Sequence, residues 1–266
     1  MFTLYRRLVA YQIRSQMAYP LSFWMDLLAT AAIVVISFIT IALVLERFGD
    51  IAGWTLWEIA FLYATIETAF GVTDLLIGGF DPDYFAVQVR IGTLDQMLLR
   101  PVNVALQILS LNFSARRLGR IAQGALVLAL ALSRAGIHWT WGKVLYLPLM
   151  LLGISLFFAG LFIFGSTLTF WTVERIEAIN IFTYGGTEMM AYPMSVYPLW
   201  MRRFFTFVVP AIFLNYYPAL YFLDKPDPLG FPAFAPFVAP LAGLVVLLGA
   251  AGFWRFGLGH YQSTGT

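Results

Sequence analysis

Apolar residues gather along the chain into six long stretches separated by polar breaks: Phe23 to Leu45, Leu56 to Ile77, Leu118 to Leu132, Val144 to Phe170, Phe204 to Leu223 and Phe237 to Phe256. A helix rising about 1.5 Å per residue needs about 20 such residues to cross a hydrocarbon layer about 30 Å thick. Six spanning helices are therefore expected, in a single transmembrane domain over residues 1–266. The third stretch is short and must borrow from 133–137 or from its arginine-flanked start. The fifth contains Pro210 and Pro218, which remove backbone donors, so it is expected to be broken or partly re-entrant. Along the second stretch Ala60, Ala64, Glu67, Gly71, Asp74 and Gly78 recur at three- and four-residue spacing. Small residues on one stripe permit close helix packing, and a carboxylate within a span faces protein or a water-filled path. Glu67 is thus open to three readings: a substrate contact, a proton carrier, or a bond to a neighbouring helix. Asp74 and Asp26 fall nearer the cytoplasmic edge.

The polar breaks carry patterns of their own. Ahead of the first span, "LYRRLVAYQIR" places Leu4, Tyr5, Leu8 and Tyr11 on one side of a wheel and Arg6, Arg7 and Arg14 on another, which predicts an interfacial helix over about 3–16. Between the second and third stretches lies a polar segment over about 80–117, long for a simple connector. Within it Gly92 breaks the chain, Thr93 suits an N-cap with Gln96 three residues on, and Pro101 restricts Arg100, which predicts a short bounded helix. Its apolar edge is Leu94, Met97 and Leu98, opposite Asp95. Such an edge suits either a groove on a partner or the lipid surface. The connection after the fourth stretch holds Glu174 and Glu177 one helical turn apart, a solvated face or a contact for a basic partner. Gly185 and Gly186 interrupt it, and Arg202 and Arg203 anchor the next span.

Composition places all this in a membrane: 61% of residues are hydrophobic and 11% charged, against roughly 45–50% and about 25% in soluble domains. The net charge of +2 gives no basic face for nucleic acid. Cysteine is absent and the two histidines, His138 and His260, stand far apart, which speaks against thiolate or histidine metal sites. Arg6 and Arg7 are followed by Gln12, Arg14 and Gln16, so no cleavable leader is expected. With the N-terminus inside, twelve of the 16 basic residues (6, 7, 14, 90, 100, 116, 117, 120, 175, 202, 203 and 255) fall on the cytoplasmic side. The positive-inside tendency then puts both termini in the cytoplasm. No phosphate loop, His-Glu-x-x-His motif or Gly-x-Ser-x-Gly elbow occurs.

"GTLDQMLLRPVNVALQIL" after the second stretch, "FTYGG" after the fourth, "YPLWMRRFFTFVVPAIFLNYYPAL" through the fifth and "WRFGLGHYQSTGT" at the end together resemble the ABC-2 type permeases. The likeness is to their six-span bacterial branch, once grouped as a domain of unknown function and commonly labelled viologen or multidrug exporter permeases. The resemblance implies an all-α integral membrane fold of the type V exporter kind, with an interfacial helix and a cytoplasmic coupling helix, in the inner membrane. It implies a non-enzymatic half-transporter with no cofactor of its own, paired with a second permease, identical or related, and with two ATP-binding subunits. Thr93, Leu94, Asp95, Gln96, Met97, Leu98, Arg100 and Pro101 would then contact the ATPase, with Glu174 and Glu177 nearby. "NYYPALY" would approach an outer re-entrant segment. Glu67, Asp74, Asn215 and Tyr216 are candidates for lining a path for amphiphilic, apolar or cationic substrates. Two rivals stand beside this reading. One is a proton-coupled transporter with Glu67 as carrier. The other is a lipid-acting enzyme, which would call for a His, Asp or Cys cluster that is missing.

Overall fold

A computed structural model describes residues 2–48, 50–114, 117–174, 176–227 and 230–263. Arg116 and Arg175, counted above on the cytoplasmic side, lie outside them. The architecture is all-helical, and an isolated bridge between Ile51 and Trp54 closes the turn before the second long helix.

The chain opens with α1 (Phe2–Met17) and turns into α2 (Pro20–Phe48), a 29-residue helix that contains the first apolar stretch. α3 (Leu56–Ile77) starts from Thr55 with a capping box, Thr55 N donating to Glu58 at 2.7 Å. It does not stop at the expected polar boundary. A 3-10 turn over Gly78–Phe80 and then α4 (Pro82–Arg90) carry it onward, so that Leu56–Arg90 reads as one 35-residue helical run. Pro82 is harmless there because it occupies the first position of α4, whose N-cap Asp81 accepts from Asp83 N at 2.9 Å and Tyr84 N at 3.4 Å.

The remainder of the polar segment is helical too: α5 (Thr93–Leu98) and α6 (Val104–Leu111) fold back under α4. The expected N-cap is displaced by one residue. Gly92, at φ 70°, occupies it, Thr93 is the first helical residue, and no side-chain cap forms. A left-handed cap residue is open to glycine at no steric cost.

α7 (Arg117–Arg134), at 18 residues, holds the third apolar stretch, and α8 (Trp141–Thr172), at 32, holds the fourth and passes through Pro148 without a break. In the next connection lie α9 (Glu177–Phe182) and α10 (Tyr184–Met190). Glu174 precedes α9 and shares no helix with Glu177. Gly185 and Gly186 do not interrupt but lie in the first turn of α10, where backbone donors are free in any case.

The fifth stretch is broken as expected: α11 (Leu199–Phe207) meets α12 (Ala211–Leu214) and α13 (Tyr216–Phe222) at 73°. Pro210 sits at the break as N-cap of α12. Pro218 does not kink, because it falls in the opening turn of α13. α14 (Ala239–His260) closes the fold.

Among the described residues three runs are long and apolar enough to cross a membrane: Leu56–Arg90, Trp141–Thr172 and Ala239–His260. The bent pair makes a fourth. α7 is shorter and carries Arg117, Arg120 and Arg134.

α3 lies at the centre, buried on every side from Ile59 to Glu67. α8 and α14 cross at backbone distance, where a Cβ built on Gly243 would stand 2.0 Å from Gly153 O. Dispersion and close backbone approach, rather than water exclusion, hold such pairs in lipid. A ring cluster of Phe80, Phe85, Phe170 and Trp254 ties the α4 end of the central run to α8 and α14.

Candidate functional site

α5 stands on a rigid footing. Leu94 and Met97 are 0% and 3% exposed, inside the main core. Gln107 on α6 donates from one nitrogen to Met97 O at 3.0 Å and Val102 O at 3.1 Å, and Ser263 Oγ donates to Asp95 Oδ2 at 2.8 Å from beyond α14. The expected apolar edge is therefore half inverted. Leu94 and Met97 face the protein's own core, because one turn of helix aligns i with i+3 and that row meets α6. The outward edge is Ile91, Leu98 and Leu99, 56%, 40% and 87% exposed, with Gln96 and Arg100 also exposed and Thr93 and Asp95 half-buried. Arg90 and Glu174 stand beside it, 4.0 Å apart and both exposed. Glu177 Oε2 accepts from Asn180, which also donates to Asp83 at 3.3 Å.

Within the membrane-length part of the fold, charges are paired across two helices. Glu67 takes two hydrogen bonds from Arg120, Nε to Oε2 at 2.7 Å and Nη2 to Oε1 at 2.9 Å, and the Arg120 guanidinium lies 4.5 Å from the centroid of Phe70. Two turns along α3, Asp74 Oδ2 meets Arg117 Nε at 2.8 Å. Rising numbers on α3 meet falling numbers on α7, so the helices run antiparallel. The small-residue stripe lets them approach: a Cβ on Gly71 would be 2.9 Å from the Ile121 side chain, and one on Gly124 would be 2.9 Å from Thr68 N. Glu67 is thus engaged by a forked, charge-assisted pair. Arg120, counted from sequence on the cytoplasmic side, is the partner of Glu67, and Arg117, counted there too, is the partner of Asp74. A cavity of about 390 Å³ opens beside Asp74, Asp81, Asp83, Tyr84, Arg117 and Tyr184, where the Tyr184 hydroxyl donates to Asp81 and Asp74 Oδ1 accepts nothing from the described residues.

Asn215 and Tyr216 are both buried within the chain. Asn215, fully buried at the break between α12 and α13, accepts from Thr65 Oγ1 at 2.7 Å and donates to Leu62 O at 3.0 Å and Met190 O at 2.8 Å. The two carbonyls it bonds belong to α3 and α10, so this amide clamps the junction of α12 and α13, just past the Pro210 bend, to both helices. Tyr216 stacks at 5.7 Å from Trp54.

At the opposite end of α8 a second polar cluster was missed from sequence. Buried Lys143 donates to Asp224 Oδ1 and Oδ2 at 2.8 Å each and to Phe222 O at 3.1 Å, with His138 Nδ1 3.3 Å from the same carboxylate. Hydrogen bonding from Lys143 holds the Asp224 carboxyl below its ordinary range, outweighing its slight burial. Next to it Lys225 bridges Glu58 at 3.0 Å and Gly53 O at 2.9 Å, so the turn after α13 is fastened to the starts of α3 and α8.

The family model for ABC-2 family transporter protein matches residues 31–265, from early in α2 to beyond α14. The chain belongs to the ABC-2 transporter family. It is a multi-pass membrane permease subunit of an ABC transporter, not itself the catalytic component. No curated protein matches the chain. The match takes in both polar connections and the bent fifth segment, so the paired charges, the clamp and α5 all fall within the matched region.

Proposed function

We propose that the permease is one transmembrane half of an ATP-driven exporter in the inner membrane, with six crossings and both termini cytoplasmic. In this reading α2 and α7 are the first and third spans and α1 lies in the interface. The half pairs with a second copy or a related chain and with two ATP-binding subunits. The observation that carries the proposal is the outward edge of α5, three apolar side chains raised on a base locked by Leu94, Met97 and Gln107. A projecting apolar tip suits a groove on another protein, and a rigid base transmits the push instead of absorbing it. Thr93 to Pro101 then form the contact, with Ile91 and Leu99 reaching furthest, and Arg90 and Glu174 at its margin.

Closure of the ATP-binding subunits would press on α5 and α4. Because α4 continues α3, the load enters the buried central helix, whose charge pairs tie it to α7. Rocking of such a unit against its partner half opens a path between them. The cavity beside Asp74 is lined by three carboxylates and by Arg117 and Arg120, with Asp74 Oδ1 unpartnered among the described residues, and so favours amphiphiles with a polar, hydrogen-bonding end.

Ile91→Asp and Leu99→Asp test the contact. A tagged permease should copurify with an ATP-binding protein and a vanadate-sensitive ATPase activity. Both variants should insert and melt as wild type yet lose at least about tenfold of that activity, since one hot-spot side chain carries about 2 kcal/mol or more. Leu94→Asp should instead fail to fold, because it buries an unpaired charge. Full activity in Ile91→Asp and Leu99→Asp together would refute the docking edge.

A further inference from the structure

The outer face of α1 carries charge that no ion pair among the described residues takes up. Arg7, Ala10, Tyr11 and Arg14 form one exposed stripe at helical spacing, so Tyr11 sits with the arginines and not opposite them. Neither arginine has an ion-pair partner among the described residues, and no acidic residue occurs before Asp26. The inner face is turned to the protein and is polar: Gln12 Nε2 donates to Leu111 O at 3.1 Å and Gln16 Nε2 to Phe113 O at 2.6 Å. Leu111 ends α6, where a helix leaves its last acceptors open, and Phe113 lies just beyond it. Just past α1 the chain exposes Tyr19, Leu21, Trp24 and Met25. Guanidinium groups and Tyr11 thus share the α1 surface, and exposed aromatic and aliphatic side chains follow it at the start of α2, a combination that suits headgroups beside acyl chains.

We propose that this stripe binds anionic phospholipid headgroups of the cytoplasmic leaflet, and that Gln12 and Gln16 pass their occupancy to α6 and so to the footing of α5. The proposal rests on the orientation given above. Charge selects the headgroup: two arginines without counter-ions, in a segment without acids, attract an anionic surface. The exposed aromatic and aliphatic side chains beside them favour a lipid over a soluble acidic partner. Basic residues at such a surface each strengthen binding about fivefold, and two together about 30-fold.

The test uses the full chain in mild detergent, titrated with phosphatidylglycerol or phosphatidylcholine and read by native mass spectrometry. It needs no ATP-binding subunit, so it stands or falls apart from the docking of α5. Wild type should retain phosphatidylglycerol in preference to phosphatidylcholine. Arg7→Gln with Arg14→Gln should lower that retention about 30-fold, while Arg7→Lys with Arg14→Lys and the distant exposed Arg255→Gln keep it within about threefold. Phosphatidylglycerol should also slow hydrogen exchange over residues 104–114 in wild type and not in Gln12→Ala with Gln16→Ala. Retention unchanged in the double glutamine variant, equal loss of both lipids, loss in the lysine variant, or equal protection by free glycerol phosphate would each overturn the lipid site. Slowed exchange persisting without the two glutamines would overturn the relay.

Discussion

Replacing Arg120 by methionine strands Glu67 in the centre of the fold. The two side chains are only 22% and 8% exposed and meet at 2.7 and 2.9 Å. At an effective dielectric of 20 that separation corresponds to about 6 kcal/mol of attraction, most of it offset by the desolvation of both ions. The intact pair therefore contributes little net stability, whereas a single survivor costs about 3–5 kcal/mol. Arg120→Met and Glu67→Met should each lower unfolding free energy by about that amount. The double variant should be no worse than the milder single, because no charge is then stranded. The coupling energy is then at least about 3 kcal/mol. Equilibrium unfolding of the detergent-solubilised chain in SDS, followed by tryptophan fluorescence, measures all four corners of the cycle. Single effects that add within about 0.5 kcal/mol, as for distant sites, would show that the forked pair does not hold α3 to α7.

Other sites yield shorter expectations. Asn215→Leu removes three buried hydrogen bonds at the junction of α12 and α13 and should cost about 2–3 kcal/mol, read as a lower melting temperature. Gly243→Ala places a methyl 2.0 Å from Gly153 O, backbone against backbone, and should cost about 3 kcal/mol. Gly249→Ala, on the same helix with open space around it, should cost nothing and can gain up to about 1 kcal/mol in the same melt. Asp224 has a folded pKa below its unfolded value of about 3.9, so its stabilisation is complete above that value and is lost as pH falls through the folded one. The gap in melting temperature between wild type and Asp224→Asn should stay constant above about pH 5 and narrow below about pH 4. A gap that widens on acidification would contradict the Lys143 assignment.

Long-period features were legible in the sequence and cross-chain ones were not. Apolar length predicted α3, α8 and α14, and the prolines predicted the break between α11 and α12, because each signal is local. Pro218 misled because the same residue that breaks a helix interior is tolerated in a first turn, and only the break at Pro210 fixes where that turn falls. The polar segment read as a connector because α4, α5 and α6 are too short for periodicity to declare a face. In so short a helix Leu94 and Met97 or Leu98 could equally have pointed inward, and the choice rests on packing against α4 and α6 on either side of it.

Arg117 and Arg120 show the same limit in reverse. Counting arginines to orient a membrane protein treats each as a cation seeking the cytoplasm, yet these two open α7 paired with acids more than 40 residues earlier. A signal was present: Glu67 and Asp74 lie two turns apart on the small-residue stripe, and an antiparallel neighbour opens with two arginines one turn apart. Intramembrane carboxylates call for a partner, and the adjacent helix in sequence is the first place to find it, since consecutive elements are usually neighbours in space. That rule would have turned the proton-carrier reading of Glu67 into a helix-pairing one before any coordinates. It would also have identified α7, charged at its start, as a helix that depends on α3 for its partners.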